Sequence, residues 1–108
     1  MNATAFRGGT KRNPVYGIRV GFANRDEYFQ QLVDVADEVI IVVEMDGQAY
    51  NFAITAGFWN KCPEFRDRGG PVIREWLRRH HTIQRTKGKP PQVELIPLGD
   101  CRFRLLPG

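Results

Sequence analysis

The chain has 108 residues, a length that fits one domain with a single core and no need of a metal or disulfide staple. Its 42% hydrophobic and 26% charged residues are ordinary for a globular protein, and no run approaches the roughly 20 apolar residues of a membrane span or the shorter core of a signal peptide. These features, with no internal repeat or low-complexity tract, set a cytoplasmic address with no membrane partner as the expectation, while the net charge of +4 and a pI near 9.4 are modest taken alone.

In chain order, residues 1–14 carry Arg7, Lys11 and Arg12, the pair Gly8 and Gly9, and only Phe6 as a large apolar group. A flexible basic arm is therefore expected ahead of one globular domain over 15–108. Tyr16, Ile18, Val20 and Phe22 alternate with Gly17, Arg19 and Gly21, the pattern of a half-buried first strand. Asn24, with Glu27 three residues on, reads as a helix N-cap, and Tyr28, Phe29, Leu32, Val33 and Ala36 follow at helical spacing. Val39, Ile40, Ile41, Val42 and Val43 are a continuous β-branched run, which predicts a central strand covered on both faces. Asp46 and Gly47 signal a tight hairpin. The return strand sets Tyr50, Phe52 and Ile54 on one face and the small residues Ala49, Asn51 and Ala53 on the other.

Phe58, Trp59, Cys62 and Phe65 are spaced for a short helical segment that Pro63 distorts, ended by Gly69 and Gly70. Pro71 opens a further helix with Val72, Ile73, Trp76, Leu77 and His80 facing inward and Arg74, Glu75, Arg78, Arg79 and His81 outward. A breaker-rich loop from 82 to 91 leads to a closing hairpin over 93–98 and 101–106. The order β-α-β-β-α-α-β-β predicts an α+β domain, with a mainly antiparallel sheet of about five strands and two or three helices packed on one face. The first helix could serve as a crossover making the first two strands parallel neighbours.

Charge is unevenly spread. Arg74, Arg78, Arg79, Arg85, Lys87 and Lys89 against Glu75 give a local +5, so the rest of the chain sums to −1. Seven acids and no Lys or Arg lie between Asp26 and Asp46. Arginine forks suit phosphate, and tryptophan beside cations can stack a base. The candidate binding residues are therefore Arg74, Arg78, Arg79, His81, Arg85, Lys87, Lys89 and Trp59.

The reading this favours is a small non-enzymatic binding protein whose basic surface contacts nucleic-acid phosphates. One alternative is a self-associating or partner-binding adaptor that matches acidic and basic faces. A further one is a small-ligand binder or enzyme with a pocket near Trp59, Cys62 and His80. No nucleotide-loop, dinucleotide, serine-hydrolase or zincin motif is present, so no catalytic residue, cofactor or metal is assigned. Cys62 and Cys101 lack CxxC spacing and are expected to be reduced thiols.

Overall fold

A computed structural model of the chain describes residues 1–29, 39–60, 62–80 and 91–108. The elements are β1 (Asn2–Gly9), β2 (Pro14–Arg19), α1 (Phe22–Tyr28), β3 (Val39–Met45), β4 (Gln48–Ile54), α2 (Ala56–Asn60), β5 (Glu64–Arg66), α3 (Val72–Arg79), β6 (Gln92–Gly99) and β7 (Arg102–Pro107). Among the described residues the seven strands form one sheet in the order β4-β3-β7-β6-β1-β2-β5. Adjacent strands are antiparallel except β3 and β7, which pair in parallel through Val42 with Arg102 and Glu44 with Arg104. The mixed α+β class expected from the sequence holds. No described helix is long and apolar enough to cross a membrane.

The two strands beyond the expected five are β1 and β5. The segment read as a flexible arm instead supplies β1, which lies inside the sheet between β6 and β2. Its inward residues, Ala3 and Ala5, are buried but small, so the strand carries little hydrophobic alternation for a reader to find. β5 lies where helical spacing was expected. α2 ends before Pro63, whose carbonyl accepts a hydrogen bond from Val20 N at 2.9 Å, and Phe65 then enters the core from an extended strand. β2 and β3 are not sheet neighbours, so α1 is not a crossover between paired strands.

The sheet curls into a near-barrel around one core. The inward residues Ile18, Ile41, Val43, Phe52, Leu95, Phe103 and Leu105 are buried, and Phe58, Ile73, Trp76 and Leu77 join them from the helices. Phe29, immediately after α1, stacks on Phe103 with ring centroids 4.9 Å apart and meets Phe58 at 5.0 Å. The edge strands β4 and β5 approach each other, with Phe52 and Phe65 rings 5.2 Å apart, yet no backbone ladder joins them among the described residues. β3 is covered on one face only. Ile40, expected inside, is 48% exposed because the curled sheet turns its outer face to solvent.

Two local details follow the sequence closely. The β3–β4 connection is a two-residue turn with φ of 50° at Asp46 and 83° at Gly47, the left-handed backbone that this pair tolerates. α3 buries Ile73, Trp76 and Leu77, the inward stripe expected of it. α1, in contrast, begins two residues before the expected cap: Gly21 is the N-cap, and the Asn24 amide donates to the carbonyls of Asn2 and Val20 at 2.8 Å each.

Candidate functional site

The arginines of α3 do not form one open stripe. Arg78 is 56% exposed and only loosely paired, 4.0 Å from Glu75. Arg79 Nε donates to Asp46 Oδ2 at 3.1 Å, and His80 Nε2 lies 2.9 Å from Asp46 Oδ1. Arg74, expected to project outward, is half-buried, and its guanidinium lies over the Tyr16 ring at 5.7 Å. His81, Arg85, Lys87 and Lys89 lie outside the described residues. Trp59 has a different cation as partner. Arg25 sits over its ring at 5.2 Å and donates to its carbonyl at 2.8 Å.

Asp46 thus links the acidic and basic segments of the sequence within one molecule. Partial burial opposes its ionisation, but hydrogen bonds from His80 and Arg79, with their charge, outweigh this and hold its carboxyl below the usual range. His80 packs on Trp76 with ring centroids 4.6 Å apart. Packing and the carboxylate fix its ring, which gives the α3 terminus a tether to the β3–β4 turn.

A larger cationic surface is assembled from segments far apart in sequence. Residues 1–20 contain Arg7, Lys11, Arg12 and Arg19 with no acid, and residues 62–74 contain Arg66, Arg68 and Arg74 with Glu64 and Asp67. The fold joins these two stretches edge to edge. Gly17 pairs with Arg66, the Asp67 amide donates to the Tyr16 carbonyl at 2.8 Å, and Arg74 covers Tyr16. Seven cations against two carboxylates leave a local excess of five, equal to that of the 74–90 stretch.

Both carboxylates in this region are committed to the scaffold. Glu64, its side chain only 8% exposed, accepts from Arg19 Nη2 and Arg66 Nη2 at 2.9 Å each, which orients two half-exposed guanidinium groups on the outer face of the sheet. Asp67 accepts from Ile73 N at 2.6 Å and Arg74 N at 3.1 Å, so it caps α3 from outside the helix. Burial pushes the Asp67 carboxyl above its ordinary value, and the two backbone donors offset part of that rise.

Between the edge strands lies an open cleft of about 340 Å³. Ala53 and Thr55 of the β4 side face Cys62, Glu64, Arg66 and Arg68 across it. Of the small-residue face of β4, Ala53 lines the cleft. Of the three residues expected near a pocket, Cys62 lines this cleft and Trp59 and His80 do not: Trp59 lies against Arg25 and His80 at the end of α3. Cys62 is exposed and Cys101 half-buried, and neither is in a disulfide.

No protein-family model, curated protein or solved structure matches the chain. Sequence reasoning missed Phe6, Arg19, Glu64, Arg66, Arg68 and Asp67 as neighbours. The available signals were the Arg66-Asp67-Arg68 run before Gly69-Gly70 and the acid-free basic N-terminal segment.

Proposed function

We propose that the chain is a small non-enzymatic binding protein whose basic surface contacts nucleic-acid phosphates, centred on the β1–β2 hairpin and the segment from β5 into α3. The observation that carries this reading is the lateral joining of residues 1–20 to residues 62–74, which gathers seven cations around two carboxylates already engaged inside the protein. Lys11 and Arg12 are exposed at the hairpin turn, while Arg19 and Arg66 are held by Glu64, a mixture of adaptable and oriented donors suited to a phosphate backbone. Arg78 extends the surface. Arg79 contributes less because Asp46 neutralises it.

The same Asp46–Arg79 contact bears on the adaptor alternative. It engages one acid of the acidic segment and one cation of the basic helix within a single chain, leaving fewer charges for a complementary second copy.

Fluorescence anisotropy of a labelled oligonucleotide titrated at low salt tests the proposal. Saturable binding that weakens on Arg66→Gln with Arg68→Gln is expected. An unchanged anisotropy up to high protein concentration removes the reading.

A further inference from the structure

We infer that the nucleic acid taken by this surface is single-stranded, with an unpaired base stacked at a platform built from Phe6 and Arg19. The inference rests on the phosphate-binding reading above and names the class of its ligand. It begins with an aromatic residue on the wrong side of the sheet for a core role: Ala3 and Ala5 of β1 point inward, so Phe6 stands on the outer face. Directly opposite it on β2 is Gly17. A Cβ at Gly17 would meet Phe6 Cε1 and Cζ at 2.5 Å, so the ring lies against bare backbone. The absence of a side chain at Gly17 seats the ring low on the sheet.

Arg19 completes the platform. Its Cζ is 5.1 Å from the Phe6 ring centroid, and its Nε and Nη2 donate to Glu64 Oε2 at 3.0 and 2.9 Å. Glu64 Oε1 accepts from Arg66 Nη2 at 2.9 Å. A planar guanidinium is thus fixed over an aromatic ring, with a second guanidinium held by the same carboxylate. Ordering these groups before binding reduces the entropy lost when a base settles on them.

The geometry discriminates between nucleic-acid forms. In a duplex the base faces are covered by neighbouring pairs, so the half-exposed guanidinium that lies over the ring has only phosphates to meet. A single strand offers a π-face of any base together with its backbone phosphates, matching a stacking group bordered by Arg66 on the same face and by Lys11 and Arg12 at the hairpin turn. Glu64 and Arg66 also line the cleft between the edge strands, which adjoins the carboxylate that holds Arg19.

The test compares oligothymidylate with a duplex of equal length at matched ionic strength, by anisotropy, for the parent and Phe6→Leu. Leucine keeps apolar cover over Gly17 but removes the ring that supports the Arg19 guanidinium. The parent is expected to prefer the single strand, and Phe6→Leu to reduce that preference about tenfold. A single 2-aminopurine in the oligonucleotide gives a readout on the parent alone: its fluorescence should fall on binding as it stacks. Equal affinity for both forms, a preference unchanged by Phe6→Leu, or a bound 2-aminopurine with unaltered emission would overturn the inference while leaving the phosphate-binding reading standing. Failure of the parent to bind either form would remove that reading itself.

Discussion

Asp67 caps a helix that begins several residues after it: its Oδ1 lies 2.6 Å from Ile73 N, and its Oδ2 meets Arg74 N at 3.1 Å. The same residue pairs its own amide with Tyr16, so one side chain and its backbone join β2, the β5–α3 segment and the first turn of α3. Asp67→Ala should destabilise the domain by about 1 kcal/mol, with Asp67→Asn milder because one acceptor remains. Denaturant midpoints for the two variants check this.

The pH dependence at Asp67 has a defined sign. Burial raises its carboxyl above the ordinary value of 3.8, so the folded chain holds the proton more tightly than the unfolded chain. Its contribution to stability is full below that ordinary value and fades as pH rises through the raised one. The stability of the parent relative to Asp67→Asn should therefore decline from acid towards neutral pH. A relative stability that grows over this range contradicts the assignment.

Asp46 carries the opposite sign. Its carboxyl is held below 3.8 by His80 and Arg79, so its contribution is present above that value and is lost as pH falls through the lowered one. Asp46→Asn should lower stability near neutral pH by no more than about 1 kcal/mol, since the pair is largely exposed. The two proteins should converge in strong acid, which a series of urea melts across pH would show.

Two substitutions, one in the core and one on the outer face of the sheet, test the packing. Trp76 is fully buried, and Trp76→Ala should cost about 3 to 5 kcal/mol. Gly17→Ala should cost about 1 to 3 kcal/mol, because the added Cβ meets both the Phe6 ring and the Phe65 carbonyl at 2.5 Å. Adding Phe6→Ala to Gly17→Ala should recover only part of the loss, as the Phe65 carbonyl remains. Thermal melts of the single and double variants distinguish these outcomes.

Legibility of the fold depended on side-chain size and periodicity. The Asp46-Gly47 turn, the inward stripe of α3 and the closing hairpin were readable because each rests on a local rule: a left-handed turn pair, a 3.6-residue repeat, two alternating runs around Gly99 and Asp100. β1 was hidden because its core face is only Ala3 and Ala5. β5 was hidden because three residues are too few to show alternation, and Phe58 to Phe65 happens to match helical spacing. The candidate surface was unreadable for a topological reason: its two halves are separated by more than forty residues and meet through tertiary contacts, the β2–β5 pairing and the Tyr16–Asp67 and Tyr16–Arg74 contacts.

The central claim is that the surface formed by residues 1–20 and 62–74 takes up nucleic-acid phosphates, and the salt dependence of binding addresses it most directly. Each phosphate contact releases counterions, so the slope of log affinity against log salt counts the cations engaged. The parent should show a steep negative slope, and replacing Arg7, Lys11 and Arg12 together with Gln should reduce its magnitude by roughly 2 to 3. A parent that binds no oligonucleotide at low salt, or a triple variant with the parent's slope, would contradict the account.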